Sequence, residues 1–203
     1  MQNNQHDIIN NNEFYEVVFN QINLQKQTLT NKIFESCQFQ NCDFSENIFQ
    51  SCKFIDCEFT TCNLSNIKLN YTTFNEVVFQ QCKLIGVNWT EVKWPSIALT
   101  SPIKFYQCDL SHVSFYELNL PELILQNCKA KQVDFRAADL SHGDFTQTDF
   151  EGSLFMHTNL NHADFTEAFN YVISPVDNKI KKAKFSLPDA MNLLQVFDIE
   201  IKD

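Results

Sequence analysis

Cys37 and Cys42 stand five residues apart in FESCQFQNCDFSENIFQSCKFIDCEF, residues 34–59; Cys52 and Cys57 repeat that spacing and Cys62 extends it. Cysteines this dense admit three chemistries: a tetrahedral zinc site, a disulfide framework, or thiols packed as small apolar groups. His112, His142, His157 and His162 form a second set, with His142 and His162 separated by 20 residues. They fit either a surface metal pair or plain solvent-facing positions. Asp134, Asp139, Asp144 and Asp149 form a third, at five-residue steps, with Glu151, Asp164 and Glu167 close behind. General acid–base catalysis needs two carboxylates converging on one cleft, and regular steps spread them apart. The sequence holds no G-x-S-x-G, no phosphate loop and no H-E-x-x-H. The expectation is a protein that is not an enzyme and holds no cofactor or metal.

The elements that carry these residues follow from one periodicity. Every fifth residue from Phe14 to Leu99 is apolar. The phase then slips by one residue and resumes from Phe105 through Phe165, with Phe185 still in phase. This centre position holds 18 of the 20 phenylalanines, so it is the core. The residue two before each centre is mostly small or β-branched, and all eight cysteines fall there. Cysteine is thus expected as a small hydrophobe. A period of five suits neither a helix nor a plain strand. It suits an all-β solenoid that turns a corner every five residues, with two inward positions per turn.

CDFSENIFQSCKF, ADLSHGDFTQTDF and TNLNHADFTEA resemble the pentapeptide-repeat proteins, and the resemblance runs from about residue 14 to 185. It implies a right-handed quadrilateral β-helix with 20 residues per coil. On that geometry Cys37 stacks on Cys57, Cys42, Cys62 and Cys82 form a ladder, and Cys108 and Cys128 form a pair. Parallel stacked thiols do not present the torsion of a disulfide. No inward histidine joins them to complete a zinc site.

Five segments are expected. Residues 1–13 are a polar N-terminal segment, and 14–99 form a first stack of coils. Residues 100–104 hold the phase slip, 105–185 a second stack with an irregular last coil, and 186–203 a capping tail. Around the slip, WTEVKWPSIALTSPIKFYQC (89–108) concentrates both tryptophans and two prolines. This predicts a distorted coil or small protruding loop that splits the rod in two, read either as a tolerated irregularity or as a partner-contact loop. In the tail, Ser186 as N-cap, Pro188 and Asp189 predict a C-terminal α-helix. Its apolar residues are Leu187, Ala190, Met191, Leu193, Leu194 and Phe197, followed by Ile199 and Ile201. They are expected to cap the solenoid and form a homodimer interface.

Net charge is −10, which argues against direct nucleic-acid binding and against anionic membranes. No apolar run is long enough to span a bilayer and the N-terminus does not read as a signal peptide, so a cytoplasmic location is expected. Residues 105–170 carry ten acids against three bases. Such a surface is either a solubilising coat or a site for a basic partner. I-S-P-x-x-N-x-I at 173–180, followed by LL-x-x-F-x-I at 193–199, is similar to the C-terminal end of the Qnr-type quinolone-resistance proteins. That resemblance implies a dimeric acidic rod that imitates DNA, binds DNA gyrase and topoisomerase IV, and protects them from fluoroquinolones. The partner-binding candidates would then be Asp134, Asp139, Asp144, Asp149, Glu151, Asp164 and Glu167. The sequence departs from the plasmid-borne members in running from 14 to 99 without an inserted loop. The alternative is a general protein-interaction scaffold with another partner.

Overall fold

Each pentapeptide places a short extended segment around its centre residue and turns at the residue two positions later. The computed structural model describes residues 5–95 and 101–200. In it 29 non-glycine residues have positive φ, and all but Asn170 and Asp198 lie two after a centre. A left-handed backbone costs an L-residue roughly 1–2 kcal/mol. The corner offsets this by aiming its N–H along the rod: Gln21 N–H donates to Gln40 O at 2.9 Å and Asn41 N–H to Thr60 O at 3.0 Å. A chain with three glycines therefore turns left-handed corners throughout.

The ring planes count the sides. Phe34, Phe39, Phe44, Phe49 and Phe54 meet successively at 72°, 79°, 66° and 81°. After four such turns Phe54 lies parallel to Phe34, at 8° and 5.0 Å. Parallel pairing at a 20-residue offset says the same, as in Phe14↔Phe34 and Phe34↔Phe54. The molecule is a four-sided β-solenoid. Its first face starts at Phe14, its second at Phe19, its third at Leu24 and its fourth at Leu29. The second face runs unbroken from Phe19 through Phe39, Phe59, Phe79, Phe105, Leu125, Phe145 and Phe165 to Phe185. The two phenylalanines outside the register, Phe169 and Phe197, are the exposed ones.

Two expectations are corrected. The rod does not split into two stacks. Val77–Gln80 pairs with Glu58–Thr60 at an offset of 20 and with Ile103–Tyr106 at an offset of 26. The apparent one-residue slip is thus a six-residue insertion that leaves the ladder intact, with Phe79 stacked on Phe105 at 5.1 Å. Trp89 is buried at the start of a 3₁₀ turn, Trp89–Glu91, and lies parallel to Phe115 at 6.2 Å. Trp94 leaves the centre line and donates its indole N–H to Trp89 O. Residues 96–100 of the expected 89–108 irregularity, Leu99 among them, lie outside the described residues.

The C-terminal α-helix is the second correction. Asp189–Phe197 is a 3₁₀ helix with none of its residues fully buried. The predicted capping groups serve the last coil instead. Ser186 Oγ accepts from Glu167 N–H and Asp189 Oδ1 from Asn170 N–H. Leu193 packs on the core, whereas Leu187, Met191, Phe197 and Ile199 are exposed, and Ile201 lies outside the described residues. Ala190 and Leu194 are half-buried.

The polar N-terminal segment contains a short helix, Gln5–Asn10, that buries Ile8. Lys32 fixes it. This lysine sits in a small-residue slot, is 5% exposed, and donates to Ile9 O at 2.8 Å, Asn11 O at 2.6 Å and Asn12 Oδ1 at 3.0 Å. Burial lowers its pKa from the ordinary lysine value. Lys32→Met is expected to fray this end and cost about 1 kcal/mol, since the freed acceptors lie close to water. Faster amide exchange confined to residues 5–12 would show it; an unchanged exchange pattern would contradict the role.

Candidate functional site

Glu151 and Glu167 follow a centre by one and two residues, whereas the five predicted aspartates lie in the slot just before a centre, where the chain enters a corner. There a carboxylate can accept the N–H two residues on, in an Asx turn. Asp134 accepts from Arg136 N–H, Asp139 from Ser141, Asp144 from Thr146, Asp149 from Glu151 and Asp164 from Thr166. Each has a second partner. Arg136 forks onto Asp134 at 2.9 and 2.8 Å, and Asn159 donates to Asp139 at 2.9 Å. Gln126 donates to Asp144 at 2.7 Å, Lys131 pairs with Asp149 at 3.1 Å and Lys184 with Asp164 at 2.7 Å. Glu151 also pairs with Lys131, and Glu167 accepts from Gln147.

The structure brings these acids together only in part: Asp144 and Asp164 are ladder partners, and Asp149 and Glu151 share Lys131, but no one face holds them all. Ladder register puts Asp134 on the fourth face, Asp139 on the first, Asp144 and Asp164 on the second, and Asp149 on the third. Glu167 joins the second face and Glu151 the third. The D-x-S and D-x-T pattern visible in the sequence is the signature of the corner turn.

The electrostatics agree with a structural role. The Arg136 fork is the main cause of the lowered Asp134 pKa. At Asp139 burial opposes ionisation, but bonds from Ser141 and Asn159 outweigh it and the pKa falls. Asp43, Asp109, Asp149 and Asp164 are lowered in the same way, with burial again opposing. A carboxylate whose folded pKa is depressed adds stability that is present above its unfolded pKa and lost as pH falls through the folded value. Unfolding free energy is thus expected to hold level from neutral pH down to the ordinary aspartate range and to fall below it. Urea titrations at successive pH values check this. A flat profile below pH ~4, the ordinary aspartate value, would contradict it.

The acidic surface that sequence counting missed lies on the first face of the opening coils. Glu13, Glu16, Glu35, Asp56 and Glu76 are all exposed there, with Lys53 among them. Glu16, Asp56 and Glu76 fall on one corner line at multiples of 20 residues, and among the described residues only Glu76 of these three has an ion pair within 4.0 Å, to Lys104 at 3.0 Å. Writing the sequence in rows of 20 would have exposed this line. Further along the same corner stand Glu122, His142, His162 and Lys182. The His142 and His162 rings stack at 4.6 Å, as the 20-residue spacing requires. Among the described residues no group of three or more His, Cys, Asp or Glu could hold a metal ion. No helix of the described residues is long and apolar enough to cross a membrane.

The cysteines are all free and buried. Cys42, Cys62, Cys82, Cys108 and Cys128 form one continuous ladder, each receiving the backbone N–H of the rung before it or passing its own to the next at 3.3–3.4 Å. Thr148 ends the ladder by accepting from Cys128 N–H. Each thiol also lies within hydrogen-bonding distance of a carbonyl of the preceding coil, as Cys62 Sγ does of Phe39 O at 3.3 Å. The slot is therefore polar at its corner as well as small.

The architecture is a solid rod of stacked rings with shallow surface grooves. The pentapeptide repeat region model matches residues 32–102 and 100–168, and the chain belongs to the pentapeptide-repeat family. No curated protein matches it. Among solved structures it is similar to HetL, a pentapeptide repeat protein involved in heterocyst differentiation regulation in Nostoc sp. strain PCC 7120. That likeness has 13% identity and a TM-score of 0.67, over 84% of this chain and 73% of the other. It is also similar to QnrB1, a plasmid-mediated fluoroquinolone resistance protein, in a trypsin-treated R167E form. Here identity is 17% and the TM-score 0.65, over 92% of this chain and all of the other. At these identities the likeness establishes the fold. The matched family is a repeat family, not a catalytic one.

Proposed function

We propose that the protein is a non-enzymatic interaction rod whose first face docks a basic protein surface. The observation that supports this is the row Glu16, Glu35, Asp56 and Glu76, exposed on one face. The aspartates at 134–164 are held at corners by their own partners, so the proposal places the docking surface on the first-face row. The partner proposed is the DNA-binding saddle of a type II topoisomerase, DNA gyrase or topoisomerase IV, in keeping with the likeness to a fluoroquinolone resistance protein. B-DNA carries a charge per about 1.7 Å, whereas coils rise about 4.8 Å, so the rod must imitate shape as much as charge. The exposed apolar end formed by Phe169, Val172, Leu187, Phe197 and Ile199 supports pairing of two copies through this region.

The test is gyrase supercoiling titrated with the protein, with and without a fluoroquinolone, alongside a quadruple variant, Glu16→Gln, Glu35→Gln, Asp56→Asn and Glu76→Gln. Drug rescue or inhibition that the quadruple variant loses supports the reading. No effect at tens of micromolar folded protein rejects gyrase and leaves a scaffold for another partner. Light scattering behind size exclusion tests the dimer, which Phe197→Asp is expected to dissociate.

A further inference from the structure

The second face differs chemically from the other three. Consider the two outward positions that follow each core residue, from Asn20–Gln21 after Phe19 to Thr146–Gln147 after Phe145. Over seven coils these 14 positions hold ten amides, three threonines and Tyr106. None is charged and none is aliphatic, in a chain of net charge −10. The matching positions of the other faces all carry charge, for example Glu35 on the first, Glu46 on the third and Arg136 on the fourth. Charge on this face is confined to the position before each core residue, where Glu58, Lys104 and Asp144 stand, so the two positions after it form an uncharged strip along seven coils.

The strip deepens into an open groove of about 500 Å³ between Gln80 and Gln147, lined by Tyr106, Gln107, Gln126 and Asn127. Its amides leave both hydrogen-bonding senses unused. Gln126 gives its N–H to Asp144 and Gln147 to Glu167, which leaves their carbonyl oxygens as acceptors. Gln107 accepts from Gln81 through Oε1, which leaves its NH₂ as a donor. Gln80, Tyr106 and Asn127 make no side-chain hydrogen bond with any described residue. A row of amides that served only to tie coils together would pair throughout; these do not.

We infer that this strip binds an uncharged, hydroxyl-rich linear polymer: a neutral polysaccharide lying along the rod. Each sugar hydroxyl both donates and accepts, which is what paired amide groups offer. The Tyr106 ring supplies an apolar platform with a polar tip. The rungs repeat at about 4.8 Å, so an extended chain with a similar repeat meets the same groups on successive coils. Nucleic acid is disfavoured because the rod's negative field repels phosphate. The first-face carboxylates take no part, so this inference does not depend on the proposed docking of a basic partner.

Affinity electrophoresis of the full chain tests it, in native gels containing laminarin, a β-1,4-glucan, xyloglucan or dextran, with alginate as the charged control. At least one neutral polysaccharide is expected to retard the protein, and alginate is not. Tyr106→Ala combined with Gln107→Ala is expected to weaken the retardation at least tenfold without moving the thermal midpoint. The first-face quadruple variant is expected to keep it. Absence of retardation in every neutral polysaccharide overturns the inference. So does retardation that survives the Tyr106 and Gln107 substitutions, or binding only of a neutral glutamine- and serine-rich peptide.

Discussion

Phe59→Ala is expected to destabilise the rod by about 3–5 kcal/mol, the range for truncating a fully packed phenylalanine. Its ring lies between Phe39 at 4.4 Å and Phe79 at 5.0 Å, both near parallel, and meets Phe54 edge-on at 5.6 Å. It is 1% exposed. Neighbouring coils are held by their own backbone ladders, so the cavity cannot collapse by sliding one coil onto the next. In a solenoid, stability is carried by nearest-neighbour interfaces. A central rung lost from the longest ladder breaks two of them. Phe197→Ala, at a ring 52% exposed, should by contrast move the unfolding midpoint very little in the monomer. Urea unfolding of both variants decides. A loss below about 1 kcal/mol at Phe59 would mean that the rings fill space without being well packed.

The second large effect concerns the thiols. Cys62→Val keeps the volume near that of cysteine but removes the acceptor for Cys42 N–H and the donor close to Phe39 O. Leaving buried backbone groups unpaired costs about 1–3 kcal/mol. Cys62→Thr should restore most of this, because Thr148 in the same slot accepts from Cys128 N–H at 3.1 Å and donates to Leu125 O at 2.6 Å. Equal stability of the two variants would show that smallness alone is what the slot requires. The thiols themselves should be silent in the native state. Burial is the reason: the bond to Cys128 pushes the Cys108 thiol up to about 12 and burial raises Cys52, and although the bond with Cys57 lowers Cys37 to about 7, that thiol is as closed off from solvent as the others. A thiol-reactive dye is expected to count none of the eight before unfolding and all of them after.

Much of the architecture was legible in the residues because the repeat is local. A centre residue every five positions has to point inward whatever the rest of the chain does, so the core rings follow from spacing alone. The same holds for the cysteine slot and for the stacked pair His142 and His162. The left-handed corners were not legible, since Glu, Gln, Ser and His do not announce that backbone. The C-terminal 3₁₀ helix was missed because Ser186 and Asp189 look like helix caps. They find better partners in Glu167 N–H and Asn170 N–H, on a coil edge close to them only in space.

The period of five, the core, the burial of the cysteines and the solenoid class were determined by the sequence itself, because alternation and spacing act within one turn. Tertiary structure decided what depends on adding turns together. Phase counted in fives cannot tell a slip of one from an insertion of six, and only the pairing of Val77 with Ile103 reveals the 26-residue coil. It also decided which charges share a face. Residues five apart look adjacent in the chain but point to different sides, while residues 20 apart meet. That is why the aspartates at 134–149 scatter around the rod, and why the acid row of the first face and the uncharged strip of the second appear only once the coils are stacked.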